Sequence, residues 1–163
     1  MLGASQSVRE VVPFNYEYFQ LFVIGGELFQ TDHFIVPKDR ALTESISREV
    51  MDKLACLSAE AVSTIKTYPA LIMSENKLYG RATDDQVAIY GIVKDIKIQD
   101  NGIKVYYHPL NFIRQQVINN LALELDLGRT SSFNELNRTH WAIKRINLVE
   151  VLKNAGISVF TIS

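Results

Sequence analysis

Hydrophobic and polar positions recur with different periods along the chain, and each period predicts one kind of element. Residues 16–24 are aromatic and β-branched without a helical stripe, and two glycines follow them. This pattern predicts a β-hairpin that pairs 16–24 with 27–30. A second extended segment, 34–36, stops at Pro37, which favours the end of a strand or a sheet edge.

The period then changes to three or four residues, which predicts two short amphipathic helices in succession. Thr43 or Ser45 is expected to cap the first helix, because a hydroxyl side chain can accept a hydrogen bond from a free N–H group there. Ser58 is expected to cap the second. That helix should end at Tyr68, because Pro69 disfavours a helical residue before it.

Strand signals dominate the segment that follows, beginning with 70–73. In residues 92–98, apolar residues alternate with others, which predicts a strand with one face toward the core. Lys94 falls on that inner face, where a charged side chain is unexpected. The predicted inward residues are Ile92, Lys94, Ile96 and Ile98, and the predicted outward ones are Val93, Asp95 and Lys97. Gly91 interrupts this strand and predicts a bulge or a close approach of another backbone.

The strongest local signal is Asp100-Asn101-Gly102, because an Asn-Gly pair tolerates the positive φ angles of a two-residue turn. It predicts a hairpin whose return strand, 103–107, ends at Pro109. Apolar residues at helical spacing between 113 and 125 then predict a third helix, which Gly128 ends.

The last part of the chain predicts a loop, a strand, a helix and an edge strand. The polar loop covers 128–137, and the strand covers 141–146. Asn147, with Glu150 three residues on, is expected to cap a helix that Gly156 ends. Residues 158–162 are expected to add an edge strand.

A chain of 163 residues that is 47% hydrophobic and 21% charged is expected to form one folded domain with a sizeable core. We expect a mobile tail at 1–12 and a single α+β domain at 13–163. Its first part, 13–68, holds the hairpin and two helices, and 69–163 is barrel-like. The predicted fold is a curved, mainly antiparallel sheet or small open barrel with three to four helices packed outside.

Composition excludes several classes of protein. Lys and Arg number 17 against 18 Asp and Glu, so the net charge of −1 gives no global attraction to nucleic acid or a membrane. A single cysteine cannot form an internal disulfide or a thiolate metal cage. Cys56 lies in an apolar run and is expected to be a buried structural thiol. Without a signal-peptide pattern or a long apolar run, a cytoplasmic protein with no membrane partner is expected.

Signals for catalysis and cofactors are weak. The glycines form no phosphate-cradling cluster and no Gly-x-Ser-x-Gly motif occurs, so no cofactor is expected. The histidines, His33, His108 and His140, lack metal-ligand spacing, so no metal site is expected. Asp84 and Asp85 with one histidine form the weaker alternative of a hydrolase or transferase.

The densest polar and aromatic constellation surrounds the sole tryptophan, in the run Arg138, Thr139, His140 and Trp141. Tryptophan beside arginine and amide side chains is typical of a pocket that stacks a planar ligand. The alternative is that Trp141 fills the core while Arg138 forms a salt bridge with Glu135.

A basic strip is the other candidate site. Lysines and arginines lie on or beside the predicted strands, interleaved with Tyr90, Tyr106 and Tyr107. The predicted nucleic-acid-binding residues are Lys94, Lys97, Lys104, Lys144 and Arg145, with Arg114 nearby. Acidic residues in the same region leave a mixed solvated surface as the alternative.

The segment from Pro69 to Gly156 resembles the small β-barrels of the PUA-like superfamily, including EVE and ASCH modules. The similar runs are ALIMSENKLYG, YGIVKDI, IKVYYHP and HWAIKRI. It is also similar to accessory domains of bacterial defence and mobile-element proteins. The resemblance implies a cage for a modified or flipped nucleotide base, or another small planar ligand, but assigns no cage residues.

These observations favour a non-enzymatic binding module for nucleic acid or a small planar ligand. A protein-interaction domain that forms a homodimer is the alternative of another class, since an exposed apolar patch would serve association equally well.

Overall fold

The computed structural model describes residues 14–26, 31–128 and 134–161. The six strands are β1 (Phe19–Ile24), β2 (His33–Val36), β3 (Ala70–Ser74), β4 (Val87–Gln99), β5 (Gly102–Arg114) and β6 (His140–Lys144). The α-helices are α1 (Arg48–Leu54), α2 (Ala59–Ile65), α3 (Gln115–Asn120) and α4 (Leu148–Asn154). Two short 3-10 helices cover Lys38–Arg40 and Glu135–Asn137. The predicted tail at 1–12 lies outside the described residues.

The strands form one sheet in the order β2-β5-β4-β3-β1-β6. The β1–β3 pair is parallel and the other pairs are antiparallel. The edge strands β2 and β6 do not pair with each other, so the sheet is open. The predicted α+β class, with a mainly antiparallel sheet and helices outside it, is confirmed.

The predicted hairpin at 16–24 is wrong. β1 pairs with β3 on one side and β6 on the other, so both its edges are occupied by strands that are distant in sequence. Residues 27–30 lie outside the described part. β1 is therefore an interior strand of the sheet, which explains why all six of its residues are buried.

Two apolar cores lie on the two faces of the sheet. The first core contains Phe22, Trp141 and the apolar faces of α1 and α2. The second core contains Leu21, Leu71 and the apolar faces of α3 and α4. Alternation along β1 sends Leu21 and Phe22 to opposite cores, as the period of a strand requires.

Three of the four α-helices begin at side-chain caps, two of them at the predicted residues. Ser58 accepts a hydrogen bond from Ala61 N, and Asn147 accepts one from Glu150 N. The cap of α1 is Ser47, whose hydroxyl accepts from Val50 N, rather than Thr43 or Ser45. Ser45 has φ +62°, in the left-handed region, and lies two residues before that cap.

The β4–β5 hairpin is confirmed, with Gln99 paired to Gly102 across the turn. Gly102 has φ +141°, and a Cβ there would lie 2.7 Å from Ile35 Cγ2 and 2.7 Å from Val36 O. The predicted close approach at Gly91 is also confirmed, because a Cβ there would lie 2.4 Å from His108 O.

The predicted inner face of β4 is confirmed at Ile96 but wrong at Val93, Lys94 and Ile98. The register shifts between Val93 and Asp95, which leaves Lys94 without a pairing partner on β5. This bulge turns Val93 and Ile96 into the core, while Lys94 and Ile98 are exposed. The extra residue of the bulge thus places the Lys94 side chain in solvent instead of in the core.

Several predicted boundaries and one predicted strand are also wrong. α2 ends at Ile65 rather than Tyr68. β5 continues past Pro109 to Arg114, because β2 pairs with β5 no further than Tyr106 and Pro109 needs no bond on that side. α3 is a short helix, since Ile113 still belongs to β5. Residues 158–161 form no strand.

Cys56 is exposed, which corrects the predicted buried thiol. The backbone N–H and then the hydroxyl of Ser58 hold the pKa of the Cys56 thiol below its usual value. Cys56 lies beyond the last residue of α1, so the apolar period of that helix does not reach it.

None of the helices in the described ranges is long and apolar enough to span a membrane.

Candidate functional site

The predicted ligand-binding run from Arg138 to Trp141 lies at the start of β6. Trp141 is fully buried in the first core. Its ring stacks on Phe22 with the centroids 5.0 Å apart, and its Nε1 donates to Gln20 Oε1 at 3.2 Å. A ring without exposed surface has no face to offer a planar ligand in this structure. The core position is the alternative that the sequence left open.

The neighbours of Trp141 are also occupied by intramolecular contacts. Thr139 Oγ1 accepts from Gly25 N at 2.9 Å and donates to Glu75 Oε2 at 2.5 Å. Arg138 pairs with Glu44, not with Glu135. The expected Arg138–Glu135 bridge is therefore wrong.

His140 and Lys144 share the carboxylate that was expected to meet Arg138. Lys144 Nζ lies 2.9 Å from Glu135 Oε2, and His140 Nε2 lies 3.3 Å from Glu135 Oε1. The His140 ring also contacts Arg138 O through Nδ1, at 2.8 Å. His140 and Lys144 are both buried.

The structure divides the predicted basic strip. Lys144 is buried against Glu135, and Arg145 pairs with Glu17. Lys94 lines a separate depression that also contains Asp32 and Phe112. Lys97 and Lys104 remain together, which reduces the strip to one small surface on the β4–β5 hairpin.

That surface lies on the sheet face opposite the first core, where Lys97 is exposed while His33, Lys104 and Tyr106 are half-buried. Ile103, Val105 and Tyr107 of β5 point into the first core. Because successive side chains of a strand point to opposite faces, Lys104 and Tyr106 lie on the other face. His33 of β2 pairs with Tyr106, and Lys97 of β4 pairs with Lys104. We call His33, Lys97, Lys104 and Tyr106 the hairpin face.

The ring of Tyr106 is at the centre of the hairpin face. Lys97 Nζ lies 5.5 Å from the ring centroid, and Lys104 Nζ lies 5.1 Å from it. The His33 ring is tilted by 47° at a centroid distance of 5.6 Å. At these distances the two ammonium groups are attracted to the π-system of Tyr106.

Two acidic residues border the hairpin face. Asp32 Oδ1 lies 3.1 Å from His33 Nδ1, and this hydrogen bond is the main reason that the pKa of Asp32 falls below its usual value. Asp95 pairs with Tyr106 across the strands, and its Oδ1 accepts from Ile96 N at 2.9 Å. The surface is locally basic but not uniformly so.

The residues of the alternative acid/base site are not brought together. Asp84 and Asp85 are both exposed. Asp85 accepts from the Thr83 hydroxyl and contacts Lys77 Nζ at 3.4 Å, which lowers the pKa of its carboxyl. Among the described residues, no hydrogen bond or ion pair joins either carboxylate to a histidine. A lowered pKa also disfavours a role as a general acid.

No group of three or more His, Cys, Asp and Glu side chains in the described ranges is placed to hold a metal ion.

A buried amide network was not predicted from the sequence. Asn76 Nδ2 donates to Asn119 Oδ1 at 2.9 Å and to Asn137 Oδ1 at 3.2 Å. Gln115 Nε2 donates to Asn76 Oδ1 at 3.0 Å, and Asn134 Nδ2 donates to Asn119 Oδ1 at 2.8 Å. These five amides come from segments up to 61 residues apart. No local pattern marks them as partners.

Asn137 of this network, together with Gln86, fixes the loop between β3 and β4. Asn137 accepts from Gly80 N at 3.0 Å and donates to Leu78 O at 2.9 Å. Gln86 Oε1 accepts from Lys77 N and Thr83 N, both at 3.0 Å. These side chains replace the backbone partners that the loop lacks.

Large exposed apolar side chains occur on several separate segments. They are Leu78, Tyr79, Ile98, Phe112, Leu123 and Phe160. Isolated exposed apolar residues are normal on a protein surface. The homodimer alternative stays a prediction.

Comparison with protein-family models finds no match, and comparisons with curated proteins and with solved structures find no significant relative. The resemblance to PUA-like domains therefore stays a prediction as well.

Proposed function

We propose that the protein is a non-enzymatic module that binds single-stranded nucleic acid through the hairpin face. The observation that carries this proposal is that the ammonium groups of Lys97 and Lys104 both lie over the ring of Tyr106, on the sheet face opposite the first core. An aromatic ring stacks on an unpaired base of any sequence, and ammonium groups beside it contact phosphates.

Local charge, not total charge, supports this interaction. With a net charge of −1, the chain as a whole does not attract a polyanion. Lys97 and Lys104, paired on adjacent strands, form a small positively charged surface. Its contribution to the binding of a polyanion should weaken as the salt concentration rises. Weak, sequence-tolerant and salt-sensitive binding is therefore expected.

Single-stranded nucleic acid is the expected ligand, because stacking needs an unpaired base. In a duplex the faces of the bases are covered by their neighbours, which leaves phosphate contacts alone. We expect short single-stranded RNA and DNA to bind more tightly than a duplex of equal length.

Fluorescence anisotropy with labelled oligonucleotides tests the proposal. Tyr106→Ala should weaken binding by about tenfold, which corresponds to the loss of one stacked base. Tyr79→Ala is the matched control, because Tyr79 is 79% exposed on the loop between β3 and β4. Equal effects of the two substitutions, or no binding by the native protein, would refute the proposal.

A further inference from the structure

A cavity of about 500 Å³ beside β6 shares no residue with the hairpin face. Its walls include Ser45, Asp126, Glu135, Lys144 and three isoleucines, Ile46, Ile143 and Ile146. With Arg145 and Ser47, the lining combines two cationic residues, two carboxylates, two hydroxyls and an apolar surface.

Lys144 is the buried charged group of this cavity. It is 7% exposed, and Glu135 is the one partner that the described residues give its ammonium group. An ammonium group carries three N–H donors, so donors remain for a further acceptor. Burying a cation is costly, and an oxygen ligand in the cavity would lower that cost.

Asp126 is the available anion. Its side chain is exposed and forms no hydrogen bond or ion pair within the described ranges. Glu135, by contrast, is already shared between Lys144 and His140. Arg145 also lines the cavity but pairs with Glu17. Within the described residues, one buried cation with spare donors and one carboxylate without a partner therefore remain for a ligand.

Backbone strain coincides with this cavity. Ser45 has φ +62° and Asp126 has φ +57°, and they are two of the four non-glycine residues with positive φ in the described part of the chain. Such conformations persist only where the surrounding structure imposes them, and they concentrate at ligand sites.

We propose that this cavity binds a small zwitterion with an apolar side chain, such as an aliphatic amino acid. Its carboxylate accepts from Lys144, and its ammonium group pairs with Asp126. Its side chain packs against Ile46 and Ile146. This site is independent of the proposed nucleic-acid binding, because it uses none of the same residues.

Isothermal titration calorimetry with L-leucine and two truncated analogues tests the proposal. The analogue 4-methylpentanoate lacks the amine, and 3-methylbutylamine lacks the carboxylate. The native protein should bind L-leucine at least about tenfold more tightly than either analogue, since each lacks one charged partner. Failure to bind L-leucine, or equal affinity for all three, would overturn the proposal.

Two variants assign the contacts. Asp126→Asn keeps a residue type that tolerates positive φ, so it removes the charge with little backbone effect. It should reduce the affinity for L-leucine to that for 4-methylpentanoate, whereas the exposed control Asp84→Asn should change nothing. Lys144→Met should abolish binding of the carboxylate. If Lys144→Met does not fold, the Asp126→Asn variant alone tests the proposal. An unchanged preference of that variant for L-leucine over 4-methylpentanoate would contradict it.

Discussion

Lys97 and Lys104 lie directly opposite each other in the register of β4 and β5, and both of their ammonium groups lie over the ring of Tyr106. Like charges at opposed positions of adjacent strands destabilise a sheet. The ring of Tyr106 offsets part of this repulsion, because it attracts both cations. A phosphate bound between the two lysines would neutralise the rest of the repulsion between their ammonium groups.

Lys97→Glu is expected to have opposite effects on stability and on binding. The glutamate would face Lys104 as an opposite charge, which should raise the free energy of unfolding by about 0.2–1 kcal/mol. Oligonucleotide affinity should fall, because one phosphate contact is lost. Urea denaturation and anisotropy measure the two effects, and Lys153→Glu on α4 carries the same change in charge as a control. A variant that loses both stability and affinity would point to a structural role.

Gly102 is expected to tolerate no side chain. Gly102→Ala combines a positive φ with contacts of 2.7 Å to Ile35 and Val36. Gly156 has a φ of +86°, but a Cβ there would have no atom within 4 Å. Gly156→Ala therefore measures the cost of backbone strain alone. We expect Gly156→Ala to cost about 1 kcal/mol and Gly102→Ala clearly more, from strain plus overpacking. Equal losses in urea denaturation would show that β2 does not lie against the turn.

Locally encoded features could be predicted from the sequence. The turn at Asp100-Asn101-Gly102 and the caps Ser58 and Asn147 depend on side chains within three residues of the backbone groups they serve. The fold class followed from the hydrophobic periods in the same way. These features need no knowledge of distant partners.

Features that depend on distant segments could not be predicted. The bulge at Lys94 follows from its pairing with β5, and the burial of Lys144 follows from a carboxylate nine residues away in the chain. Trp141 looked like a ligand residue because its sequence neighbours are polar. In the fold, Gln20 meets its Nε1 and Phe22 covers its ring.

Tyr90→Phe is expected to preserve or increase stability. The hydroxyl of Tyr90 is buried and has no hydrogen-bond partner among the described residues. Removing an unsatisfied buried hydroxyl should stabilise the fold by up to about 1 kcal/mol. A loss of more than that amount in thermal or urea denaturation would mean that the hydroxyl has a partner.

Stability is expected to fall above pH 10. Burial raises the pKa values of Tyr68, Tyr90 and Tyr107 above the ordinary value of 10.0. The unfolded chain releases these phenolic protons near pH 10 while the folded chain retains them, so rising pH favours unfolding. Tyr90→Phe should therefore flatten the decline of unfolding free energy with pH. An identical pH profile for both proteins would contradict the assignment of Tyr90.

Asn137→Ala is expected to loosen the loop between β3 and β4. It removes hydrogen bonds to Gly80 N, Leu78 O and Asn76 Nδ2, and takes away the side-chain acceptor of the N–H of Gly80, a buried residue. The expected cost is about 1–3 kcal/mol. Amide hydrogen exchange at Gly80 should accelerate. Asn154→Ala, an exposed position at the end of α4, is the control, and equal protection of Gly80 in both variants would show that Asn137 does not hold the loop.

The salt dependence of oligonucleotide binding tests the role of the hairpin face most directly. Each phosphate contact to a single strand contributes about 0.7 to the slope of log affinity against log salt concentration. The double variant Lys97→Gln and Lys104→Gln should therefore lower that slope by about 1.4 relative to the native protein. The control double variant Lys53→Gln and Lys153→Gln should leave it unchanged. If both double variants keep the native slope, or lower it equally, the two lysines of the hairpin face do not contact phosphate.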